Sequence, residues 1–130
     1  MNQFLIPSYK YEAYVVRVLS GDTVDLHVDM GCNLWRCGVR FGLWGVRESR
    51  EEGQRPENAL LDLIQDFKLP RSGRTDDKYL NLPKFILVTK KDHRDQYVRD
   101  QGILYGAYAG NVININERMV KDGWATEKIT

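Results

Sequence analysis

The chain has 130 residues, 42% hydrophobic and 28% charged, which is the composition of a globular protein with one core and not two. Its formal charge is +1, from 19 basic and 18 acidic side chains, so no global field draws it to nucleic acid or to a membrane, and any basic surface is local. No apolar run approaches the roughly 18 to 20 residues that a spanning helix needs, which excludes a transmembrane helix.

Tyr11 to Leu19 alternates Val and Tyr positions and reads as a strand, with a tail over residues 1–10 before it and Ser20-Gly21-Asp22 as its turn. On the way back Val24, Leu26, Val28 and Met30 fall on one face and Asp25, His27 and Asp29 on the other, the period of a half-buried strand. Gly31-Cys32-Asn33 is a second turn. Leu34 to Val46 reads as a third strand, in which Gly38, Gly42 and Gly45 predict bulges or the close approach of another segment.

The pattern then breaks into a charged loop, Arg47 to Arg55, and Pro56 opens a helix with Glu57 in its first turn. Ala59, Leu60, Leu63, Ile64 and Phe67 form its apolar stripe, and Pro70 ends it. Residues 69–83 read as a long surface loop in which Arg71, Arg74 and Lys78 are candidates for holding a polyanion. Phe85 to Val88 and Gly102 to Tyr108 read as strands four and five. After an extended piece at Asn111 to Asn114, Asn116 is placed as the cap of a second helix that stops at Gly123. This order is that of an α+β, mainly β domain: a five-stranded Greek-key barrel of the OB type with two packed helices, spanning residues 11–126.

The cysteines, Cys32 and Cys37, form no Cys-x-x-Cys knuckle, and His27 and His93 do not complete a zinc pattern, so both read as structural thiols. Met1 to Pro7 lacks the basic start and long apolar core of a secretory signal, which predicts reduced cysteines and a cytoplasmic protein. The middle of the chain, residues 36–99, carries 14 basic and 10 acidic side chains and is its mildly positive part.

Five stretches in order carry a resemblance: Val15 to Val24 with its Gly-Asp-Thr turn, Val39-Arg40-Phe41-Gly42-Leu43-Trp44-Gly45-Val46, Gly53 to Glu57, Asp95-Gln96-Tyr97-Val98-Arg99, and Ile115 to Ala125. Together they resemble the staphylococcal nuclease (thermonuclease) family, over roughly residues 11–126. The resemblance implies an OB-type barrel and hydrolysis of DNA or RNA with one calcium ion. It implies that Asp22 is a metal ligand and that Arg99, following Tyr97, holds the phosphate. A hard cation wants several oxygen ligands, and guanidinium forks match the charge that grows on phosphoryl oxygens.

The family's third strand carries an arginine, a metal-binding aspartate and a glutamate that activates water, and here two registers compete. With Arg40 as the arginine, Glu48 takes the glutamate position and the aspartate becomes Gly45. With Leu43 to Val46 matched to the family's Leu-Tyr-Gly-Ile, the aspartate becomes Arg47 and the glutamate Arg50. Neither register supplies the second aspartate, and none occurs between Met30 and Leu61. The site expected from the resemblance is therefore eroded: Arg40, Glu48 and Arg99 as catalytic groups, Arg47, Tyr97 and Arg99 toward the ligand, and Asp22 with Glu48 as what is left of a calcium site.

Three functions compete. The favoured one is a phosphate-recognising domain that binds nucleic acid or a nucleotide with hydrolysis weakened or lost, using aromatics such as Trp35, Trp44, Tyr97 and Tyr105 as stacking platforms. The second is an active calcium-dependent nuclease, and the third a protein-binding module that keeps only the fold. A compact domain of this kind would suit a phage or bacterial accessory protein.

Overall fold

The computed structural model describes residues 9–70, 81–90 and 100–127. Strands β1 (Lys10–Ser20), β2 (Thr23–Gly31) and β3 (Leu34–Leu43) form an antiparallel meander. Strands β5 (Lys84–Lys90) and β6 (Asp100–Tyr108) follow helix α1 (Pro56–Phe67), and β5 returns to the open edge of β1. The barrel closes where β3 runs parallel to β6, with Phe41, Gly42 and Leu43 opposite Asp100, Gln101 and Gly102. The circuit β1-β2-β3-β6-β5 is the five-stranded OB-type barrel expected.

Closure gives the five strands a single interior. Ala13, Val15, Val24, Leu26, Val28, Phe41, Phe85, Leu87 and Leu104 fill it, and all are buried. Leu60 and Ile64 of α1, with Ile115 and Met119 of α2 (Ile115–Lys121), join the same core. Each large apolar side chain buried in this way contributes about 1.5–3 kcal/mol. Pro56 stands at the first turn of α1, as expected, because its missing N–H is not needed there. The other end of α1 lies so close to β6 that a Cβ at Gly106 would collide with the carbonyl oxygen of Phe67.

The structure departs from the sequence reading in three places. The third strand stops at Leu43, and Val46 belongs to a separate short strand, β4 (Val46–Glu48), which pairs with β8 (Ala125–Glu127). Gly45 takes φ +77 between them, and Trp44 donates its backbone N–H to the Gly102 carbonyl, so the chain must leave the barrel there. The extended piece at residues 111–114 is a strand, β7 (Asn111–Asn114), paired with β6.

The cap of α2 is Asn114 and not Asn116: the Asn114 side chain accepts from the Glu117 N–H at 3.1 Å. Asn116 is the second residue of the helix and is buried. Its amide accepts from the Leu104 N–H and donates to the carbonyls of Trp44 and Gly102, tying α2 to the β3–β4 turn and to β6. Gly123 does stop the helix, at φ +85. Most of the 69–83 loop, including Arg71, Arg74 and Lys78, lies outside the described residues, as does His93.

Candidate functional site

The hairpin between β1 and β2 turns on two residues, Gly21 and Asp22, flanked by the pair Ser20 and Thr23. Both hydroxyls donate to one oxygen of Asp22: Ser20 Oγ lies 2.9 Å and Thr23 Oγ1 3.0 Å from Oδ1. The other oxygen, Oδ2, accepts the backbone N–H of Glu48 at 3.1 Å. Glu48 answers in kind, its Oε2 accepting the Gly21 N–H at 2.7 Å. The two carboxylates thus form a reciprocal latch between the hairpin turn and β4.

Gly21 is required at this corner by space. A Cβ there would stand 2.5 Å from Cβ of Pro56 and 2.9 Å from Cβ of Glu48, well inside van der Waals contact. The turn, β4 and the first residue of α1 therefore meet at one point.

Of the candidate residues, the structure brings Asp22 and Glu48 together. Arg47 lies on β4 opposite Thr126 and is exposed, and Arg50 is exposed beyond the end of that strand. Tyr97 and Arg99 lie outside the described residues. Arg40 goes elsewhere: its Nε donates to Oδ1 of Asp25 at 3.1 Å.

Asp25 holds a second guanidinium. Its Oδ2 accepts from Nη2 of Arg17 at 3.2 Å, so one carboxylate bridges two arginines across three strands. Arg17 reaches this row because β1 slips against β2 between Val15 and Arg17, leaving Val16 as an extra residue. Without the bulge, strict alternation from Tyr14 would set Val16 opposite Asp25 and turn Arg17 to the other face. The Arg17 and Arg40 side chains are 64% and 60% exposed, and Asp25 only 13%, so the carboxylate lies beneath and the cations outside.

The neighbouring rows of the same outer face hold Tyr14 opposite His27 and Trp35 opposite Asp29. The Tyr14 and Trp35 rings are 5.9 Å apart at 44°, in the range of favourable aromatic pairs. β3 bulges beside His27, whose Nδ1 accepts the Gly38 N–H at 2.9 Å, with Gly38 at φ +64.

At the β3–β4 turn Trp44 is 44% exposed and Lys90 Nζ stands 5.4 Å from its ring centre, a cation–π contact. Beside it opens a cleft of about 340 Å³ lined by Trp44, Val46, Ile103, Val120, Glu117 and Lys121.

No family model matches the chain, and no curated protein does. The residues must therefore speak for themselves. Calcium takes six to eight oxygens, and Asp22 and Glu48 offer four carboxylate oxygens between them, three of which already accept N–H or O–H donors. Among the described residues no group of three His, Cys, Asp or Glu side chains stands close enough to hold a metal. Cys32 and Cys37 are both exposed. No helix among the described residues is long and apolar enough to cross a membrane.

Sequence reasoning did not single out Arg17 or Asp25 as site residues, and it took Asn116 for a helix cap. Nothing in the local pattern announces the Val16 bulge that aligns Arg17 with Asp25. Ser20 and Thr23, by contrast, flank Asp22 in the chain, and both are residues that bond a neighbouring turn carboxylate.

Proposed function

We propose that this protein is a phosphate-recognising OB-type domain that binds single-stranded nucleic acid or a nucleotide and hydrolyses it weakly or not at all. The observation that carries the reading is the bridge Arg17–Asp25–Arg40: two exposed guanidiniums on one shielded carboxylate leave a local excess of one positive charge. Each arginine gives Asp25 a single nitrogen, and a guanidinium has five N–H donors, so donors remain to face a phosphate. Trp35 on an adjoining row, half-buried with the buried Tyr14 ring packed against it, supplies an aromatic surface of the kind that single strands use beside a basic one.

The latch supports weakened hydrolysis: a backbone N–H holds one oxygen of each carboxylate toward the fold, Oδ2 of Asp22 and Oε2 of Glu48, and so competes with the metal or water that hydrolysis would have them orient. The competing reading, an active calcium-dependent nuclease, is favoured by one observation, the meeting of Asp22 and Glu48 at the hairpin turn.

One experiment separates them. Labelled single-stranded DNA, RNA and nucleoside diphosphates are titrated against the protein over a salt series, and the same oligonucleotides are incubated with calcium or magnesium. The reading expects association that weakens as salt rises, without cleavage. Cleavage that disappears in Asp22→Ala would establish the nuclease. Absence of any salt-sensitive binding would remove the phosphate-recognising function.

A further inference from the structure

Phosphate binding by guanidinium is strongest when two N–H groups of one edge meet two oxygens. In Arg40 the Nε–H, which forms one such edge with a neighbouring Nη, is taken by Asp25 Oδ1 at 3.1 Å. Arg17 gives Nη2 to Asp25 Oδ2 at 3.2 Å. An incoming phosphate therefore meets an anion already in place.

Asp25 cannot easily withdraw. It stands in the middle strand of the meander, opposite Arg17 on one side and Arg40 on the other, with a side chain 13% exposed. Its neighbours Val24 and Leu26 are fully buried and anchor its backbone. The arginines are long, exposed and free to swing, whereas the carboxylate is short and held. His27 and Asp29 lie one and two rows along the same strand, too far in register to take Asp25's place between the arginines.

We infer that Asp25 is a resident counter-ion that competes with the ligand's phosphate for Arg17 and Arg40, and so sets the affinity of this face for single-stranded nucleic acid below what two arginines would give. The inference rests on the phosphate-recognising reading, since it concerns the same face. Its sign is the distinctive part. If Asp25 merely oriented the arginines, removing its charge would weaken binding. As a competitor, its removal tightens binding.

The test compares wild type, Asp25→Asn, Asp25→Ser and Asp25→Glu, each checked by thermal melting, in titrations with a fluorescent oligothymidylate over a salt series. Asp25→Asn is expected to bind about fivefold more tightly at low salt, the effect of one full charge at about 4 Å through water. Its plot of log affinity against log salt should steepen by up to about 0.7, the increment for one further phosphate contact on a single strand. Asp25→Ser should move the same way, and Asp25→Glu, which keeps the charge, should bind as wild type. Unchanged or weaker binding by folded Asp25→Asn and Asp25→Ser, with the wild type still binding, would overturn the inference and leave the phosphate-recognising reading standing. Failure of all four to bind would overturn both.

Discussion

Two acidic groups three residues apart on the same hairpin, Asp22 and Asp25, have opposite surroundings. Asp22 sits in the turn and satisfies its oxygens with two hydroxyls and a backbone N–H, so its charge is spent on holding β4 against the β1–β2 corner. Asp25 sits on the outer strand face and satisfies its oxygens with two long cations that solvent reaches. The first arrangement is rigid and faces inward to Glu48 and Pro56; the second is soft and faces outward. A carboxylate locked onto backbone donors serves the fold, and one that gathers arginines creates a place for an anion. The resemblance noted in the sequence directs attention to the first, and the proposed function rests on the second.

This contrast can be broken by substitution, and the expected effects fall in a clear order. Gly21→Ala should be the most damaging, because its Cβ has Cβ atoms of Pro56 and Glu48 within 3 Å and no flexible neighbour to move. Overpacking of this kind costs about 1–3 kcal/mol, and chemical denaturation should place this variant at or above the upper end; wild-type stability would mean that the corner is looser than described. Asp22→Ala comes next. It strips the acceptor from the Glu48 N–H and from two hydroxyls, a loss of about 1–3 kcal/mol if those donors stay dry, with oligonucleotide affinity unchanged while the protein is folded.

Arg40→Gln should do the reverse. Melting temperature should barely move, since exposed ion pairs are worth about 0–1 kcal/mol, while affinity for a single strand should fall about fivefold at low salt, one charge's worth at about 4 Å. The smallest effect is expected for Glu48→Gln. The amide keeps an oxygen to accept the Gly21 N–H, so stability should drop by less than about 1 kcal/mol, and a large loss would mean that the negative charge itself holds the corner.

Much of the fold was legible because periodicity and turn chemistry agree along most of the chain. The alternation of Val24, Leu26 and Val28, the Leu60–Leu63–Ile64 stripe after Pro56 and the stop at Gly123 each reappear as buried faces or backbone turns. Where the reading failed, the cause was contact between segments distant in sequence. The break of the third strand at Trp44–Gly45 is held by Gly102 and Asn116, 58 and 72 positions on. Asn114 and Asn116 are both plausible caps by residue type, and only the packing of α2 on β6 distinguishes them.

The site divides the same way. Asp22 with its flanking Ser20 and Thr23 is a local cluster and stands out in the chain. Glu48 was one of two competing assignments, and its place became plain only when β4 folded onto the turn. The arginine face was invisible, since it depends on the extra residue Val16, and bulges on β1 have no glycine to mark them.

The central claim is that the Arg17–Asp25–Arg40 face, and not the Asp22–Glu48 corner, is where ligand binds. The most direct test is the affinity of the double variant Arg17→Gln/Arg40→Gln for single-stranded DNA at low salt, measured beside its melting temperature. The account predicts a fold of wild-type stability with binding reduced about twenty-five-fold, two charges' worth at about fivefold each. Wild-type affinity in that variant would contradict it and return attention to the corner.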